Sequence, residues 1–176
     1  MKFMLLSVFL DYECSNSTCN LPKISEHRFY VDTEFVFFIG MCAQTVVYRP
    51  ECVYQYRLGR EGQSVSPSGL YKHIEDLLFV EERLISIYAK IENKLPDGNR
   101  KKYLFSIIDS RYNLIFYWFS LLTQSGKDNL LEAFDKKMIH EYPKYVSSFN
   151  IGRKKIVRIN YPLMIKLLRF YHKYWK

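Results

Sequence analysis

From Ser66 to Pro96, apolar residues return at intervals of three and four: Leu70, Ile74, Leu77, Leu78, Leu84, Ile85, Tyr88 and Ile91. That spacing lines one face of an α-helix. Ser66 followed by Pro67 is a helix start, and Pro96-Asp97-Gly98 is a stop, so the pattern predicts a helix over about 68–94. Glu75, Asp76, Glu81, Glu82 and Arg83 are expected on its solvated face. A second helix is predicted over about 99–123, carrying Leu104, Ile107, Ile108, Leu114, Ile115, Trp118 and Leu122. Its second half, YNLIFYWFSLL, is apolar nearly all round, which fits a helix packed on two sides. Ser125-Gly126 ends it, and a third helix follows over about 127–140. No apolar run reaches the ~20 residues that a membrane-spanning helix requires.

Upstream the pattern changes. Residues 3–10 read as a buried strand, with a short secretory leader as the alternative, and 12–22 as a polar loop. Asp32 or Thr33 can cap a helix over 34–43 whose Phe35-Val-Phe-Phe-Ile39 run calls for burial. Residues 45–49 and 53–58 are β-branched and aromatic segments joined at Pro50-Glu51, the pattern of two short strands, and Gly59 to Ser66 is a loop. A further strand is expected near 155–159. The fold class that results is α+β: a hairpin and buried helix over 1–66, then a mainly helical region over 67–176.

Charge is segregated along the chain. The net charge is +8, yet residues 143–176 hold nine Lys or Arg and no acidic residue. Such a segment attracts phosphate-bearing surfaces. Within it, Asn160-Tyr161-Pro162 opens a last helix in which Met164, Leu167, Leu168, Tyr171 and Trp175 form one stripe. Lys166, Arg169, Lys173 and Lys176 flank that stripe, and with Trp175 they make candidate membrane-surface residues. A terminal helix docked on the domain fits the same pattern. Nucleic-acid binding is not expected, because no recognised fold motif accompanies the basic tail. The four cysteines lack C-x-x-C spacing and the four histidines are scattered, so no metal ligand set follows from the sequence. A disulfide would imply an oxidising compartment.

Two clusters invite chemistry. Asp32, at a helix N-terminus, is a candidate general base, because the local dipole favours the ionised carboxylate. It would serve equally as a plain helix cap. Arg57, Arg60, Gln63, Ser64 and Ser66 supply cationic and hydroxyl donors suited to a diphosphate, and otherwise form a solvated loop.

The string E-H-x-F-Y-V-D-T-E-F-V-F from Glu26 to Phe37, followed by TVVYRPECVYQYRLGREGQSVS from Thr45 to Ser66, resembles the segment that closes the catalytic domain of bacterial family 2 glycosyltransferases. The likeness is nearest to enzymes that build surface polysaccharides. It implies inverting transfer of a sugar from a nucleotide-diphosphate sugar to a glycan or lipid-linked acceptor, with Asp32 as base and the Arg57–Ser66 loop near the donor diphosphate. A divalent metal, Mg or Mn, is implied for the complete enzyme, with no ligand assignable in this chain. In that family a Rossmann-like half precedes the segment, whereas about 25 residues precede Glu26 here. The resemblance therefore covers the C-terminal part only: a fragment, an alternative start or a degraded copy. A separate chain carrying the nucleotide-binding half is an expected partner, and an exposed apolar face on the 34–43 helix an expected consequence. The implied location is cytoplasmic, peripheral at the inner face of the plasma membrane. The competing expectation is a non-catalytic module for membrane-surface or protein interaction.

Overall fold

A computed structural model describes residues 22–43, 66–96, 98–122 and 126–174. Among these residues six α-helices follow one another: α1 Asp32–Cys42, α2 Pro67–Ile91, α3 Asn99–Leu121, α4 Asp128–Glu141, α5 Pro143–Ser148 and α6 Tyr161–Tyr174, with 3-10 segments at Glu92–Lys94 and Gly152–Ile159. No strand occurs among the described residues, and the α+β expectation is corrected to an all-α fold. The expected hairpin at 45–58 and the strand at 3–10 fall outside the described residues.

The strand expected at 155–159 is a 3-10 segment instead, and the reason is tertiary. In a strand, alternate residues share a face; in a 3-10 helix, residues three apart do. Ile156 and Ile159 both face solvent, while Val157 is buried and Arg158 reaches inward to Asp135. The buried salt bridge selects the period over the β preference of Ile and Val.

The central element is α3. It packs on α2 and α1 along one side and on α6 and α4 along the other, which is why its second half is apolar nearly all round. Tyr112, Ile115, Phe116 and Phe119 are fully or almost fully buried there, and Phe149 stacks on Tyr112 at 4.8 Å between centroids. Helix α1 joins the same core through Phe37 and Phe38. It approaches α3 at Gly40, where an added Cβ would lie 2.9 Å from the Tyr103 ring and 3.1 Å from Leu104, so a side chain there would require both to shift. The all-round burial expected for α1 is only half realised: Phe35 and Val36 face outward.

One polar cluster ties the C-terminal elements to this core. Asp135 of α4 is fully buried and accepts hydrogen bonds from the Tyr112 hydroxyl, from Arg158 Nε at 2.8 Å and Nη2 at 2.9 Å, and from the Tyr161 hydroxyl at 2.5 Å. Burial and the adjacent carboxylate push both tyrosine hydroxyls well above their ordinary pKa, so they remain donors. Removing the acceptor strands a guanidinium and two hydroxyls. Asp135→Ala is expected to lower stability by about 3–5 kcal/mol in urea unfolding, the range for breaking a buried ion pair. Tyr161→Phe removes one donor to the buried carboxylate and should cost about 1.5–3 kcal/mol.

Candidate functional site

The segment before α1 is held in place by a buried carboxylate. Glu34, fully buried in the first turn, accepts from the Ser25 backbone N–H at 2.7 Å, the Ser25 hydroxyl at 2.8 Å and Arg83 Nη1 at 2.8 Å. Arg83 also donates to the Lys23 carbonyl. Arg83, expected on the solvated face of α2, is thus the clamp that seats residues 22–31 on the bundle.

That clamp frees the neighbouring acid. The residue preceding α1 is Val31, with no side-chain cap, so Asp32 does not act as the expected cap; it is exposed in the first turn. Its carboxylate makes no hydrogen bond among the described residues. Arg111 from α3 and Tyr30 lie within electrostatic range of it. Tyr30 packs its ring against Trp118 at 5.5 Å, and burial pushes its hydroxyl up to about 12. The backbone is left-handed at His27 and again at Tyr30, with φ of 56° and 65°. Non-glycine residues pay about 1–3 kcal/mol for such conformations, and the penalty concentrates at functional sites.

Between these two residues the chain presents Arg28 and Phe29. Arg28 Nη1 donates to Asp76 Oδ1 at 2.9 Å and stacks over the Phe79 ring at 4.0 Å. Phe29 lies on the His73 ring at 3.5 Å between centroids, tilted by 25°. At His73 helix α2 departs from helical geometry, with φ −112° and ψ 16°. Beyond Arg28, an open cleft of about 370 Å³ runs between α2 and α4, lined by Phe79, Phe134, Glu82 and Lys137 among others.

Beneath this surface lies a buried pair, one member of which, Glu81, is expected from spacing to face solvent. Glu81 is fully buried against Arg111 of α3, yet Arg111 Nε stands 4.0 Å from Glu81 Oε2 and neither group makes a hydrogen bond there. Desolvation dominates: it pushes the Glu81 carboxyl up to about 8 and the Arg111 guanidinium down from its usual value, with the attraction between them too weak to reverse either.

Of the remaining sequence-predicted residues, Ser66 caps α2, its hydroxyl accepting from the Gly69 N–H at 3.1 Å. Arg57, Arg60, Gln63 and Ser64 lie outside the described residues, as do Trp175 and Lys176. Lys166 is exposed on α6, Lys173 lies in its last turn, and Arg169 turns inward, where it binds the Asp128 carboxylate and the Phe119 carbonyl. The apolar stripe on α6 is divided: Tyr161 and Ile165 are buried with Met164 and Leu168 partly so, whereas Leu163, Leu167, Phe170 and Tyr171 face outward. Among the described residues no three His, Cys, Asp or Glu side chains are grouped to hold a metal ion. Cys42, at the end of α1, is disulfide-bonded.

Comparison with protein-family models, with curated proteins and with solved structures finds no match to this chain. Sequence reasoning missed Arg111, Tyr30 and His73. The only signal that could have marked Glu81 is its place between Leu77, Leu78 and Leu84 in the apolar period.

The buried acid makes a pH prediction. A carboxyl whose folded pKa is about 8 lies above its ordinary value near 4.3, so its stabilising contribution is complete below the ordinary value. That contribution is lost as pH rises, because the unfolded chain releases the proton that the folded chain retains. Relative to Glu81→Gln, the wild-type Tm should therefore fall steadily from pH 5 to pH 8 and level off above it. A constant difference across that range would show that Glu81 titrates normally.

Proposed function

We propose that this chain forms the acceptor side of a glycosyl-transfer site of the family 2 type, with Asp32 as general base. The observation that carries the reading is the division of labour within Y-V-D-T-E. Glu34 is spent on Arg83 and Ser25, whereas Asp32, two residues away, remains exposed and unbonded among the described residues at the positive end of an eleven-residue helix. A base must be accessible and not already engaged, and Asp32 meets both conditions among the described residues.

In the proposed reaction the acceptor hydroxyl oxygen attacks the anomeric carbon from the face opposite the diphosphate. The new C–O bond forms as the bond to the diphosphate oxygen breaks, that oxygen leaves with the electron pair, and Asp32 takes the hydroxyl proton. Arg111 provides a positive charge within electrostatic range of the carboxylate. A divalent metal would offset charge on the departing diphosphate in a complete enzyme. The described residues do not fit such an ion, and no step is drawn through it. The donor-side wall belongs to a nucleotide-binding half, in this or a separate polypeptide.

A second reading rests on α6. Its outward row Leu163, Leu167, Phe170 and Tyr171, next to exposed Lys166 and the basic 153–155 stretch, suits a helix lying on an anionic lipid surface. The two readings are compatible, since a lipid-linked acceptor is found at such a surface. No helix among the described residues is long and apolar enough to cross a membrane. A cytoplasmic face sits poorly with the disulfide at Cys42, because stable disulfides belong to oxidising compartments, so the proposal is confined to a membrane surface.

Transfer of labelled sugar to an acceptor by the chain, co-expressed with a nucleotide-binding half, should fall by about 10²–10⁴-fold in Asp32→Asn. Unimpaired transfer by that variant excludes Asp32 as the base. In vesicle flotation, the Leu163→Ser/Leu167→Ser variant should lose binding to phosphatidylserine vesicles while its circular dichroism is unchanged; binding equal to wild type rules out α6 as the lipid-facing element.

A further inference from the structure

We infer that Phe29, seated on His73, is the stacking platform of a saccharide subsite beside Asp32. The inference deepens the proposed transfer reading and rests on it for the identity of the ligand as an acceptor glycan.

The platform is built at a cost that core packing does not explain. Phe29 is 44% exposed, so its ring gains only part of the burial available to a phenylalanine. Yet the chain adopts the left-handed region at His27 and at Tyr30 to present it. Helix α2 also leaves helical geometry at His73, the residue whose ring lies flat beneath Phe29. Asp76, one turn further along α2, accepts the Phe29 N–H at 3.5 Å and the Arg28 guanidinium at 2.9 Å, which pins the chain leading into the ring. An apolar ring is thus fixed at the surface with one face supported by His73 and nearly half its area open.

The chemistry around the ring selects the ligand class. A flat apolar face next to carboxylates is what a pyranose needs: its C–H face lies on the ring and its hydroxyls donate to acid oxygens. Asp32 and Asp76 supply that acidic surround, as shown by the electrostatic influence both exert on Tyr30, which adjoins Phe29. Arg28 and Asp76 offset each other, so neither is available to a phosphate, and exposed Asp32 disfavours the phosphate of a nucleotide stacked on Phe29. A neutral glycan is the better match. Trp118, packed on Tyr30, provides an internal reporter.

The test uses the full chain, a glycan microarray, and fluorescence titration with the glycans it retains and with uridine monophosphate as the nucleotide probe. Wild type is expected to retain neutral glycans and to show a saturable fluorescence change. Phe29→Ala and His73→Ala should each weaken binding by about tenfold or more, roughly the loss of one aromatic stacking contact. Phe29→Ala should lose glycan binding whatever Asp32→Asn does to transfer, so that failure of the base and failure of the platform are read separately. No glycan retained by folded wild type, equal binding by Phe29→Ala, or a response to the nucleotide in place of glycans would each overturn the assignment.

Discussion

A buried carboxylate holds the C-terminal half of this protein together. Asp135 sits in the core of α4, where an unpaired anion would be prohibitive, and it is matched by donors from α3, from the 3-10 segment and from α6. Because those donors come from distant parts of the sequence, the ion fixes how the elements meet as well as how tightly. The β-branched run at 155–159 gives up its strand preference to deliver Arg158, and Tyr161 at the start of α6 is set by the same contact. The last helix then inherits its orientation from this point.

Two other buried acids illustrate opposite solutions to the same problem. Glu34 is closed by three donors within 2.8 Å, so its charge is offset and its position determined. Glu81 faces Arg111 across 4.0 Å without a hydrogen bond, so desolvation wins and the acid holds its proton towards neutral pH. The first arrangement anchors the segment that carries Asp32; the second leaves the field of Arg111 available to Asp32 and Tyr30. Strain, unsatisfied polar atoms and an uncommitted carboxylate thus gather where α1, α2 and α3 converge.

The two faces of α6 follow from the same economy of charge. Arg169 is drawn inward by Asp128 and the end of α3, which rotates Ile165 and Leu168 towards the core and leaves Leu163 and Leu167 outside. Among the described residues of the C-terminal segment, Lys144, Arg158 and Arg169 are paired with acids on other elements. The basic excess visible in the sequence is therefore partly structural, and the surface available to a partner is set by the remainder.

The sequence by itself determined the longer helices α2, α3, α4 and α6, since a three-and-four apolar period with Pro and Gly boundaries has no other regular solution, and it marked Asp32 as unusual; the short α5 was not legible in it. It did not determine which acids were structural. Glu81 and Arg83 lie in a charged stretch that reads as solvated, because identity and spacing carry no information on what another helix brings alongside. Likewise the Ile and Val at 155–159 favour a strand locally, and only the ion pair with Asp135 makes the 3-10 geometry lower in energy. Tertiary structure alone decided that Glu34 is spent while Asp32 makes no hydrogen bond among the described residues, because the deciding partner, Arg83, lies 49 residues away.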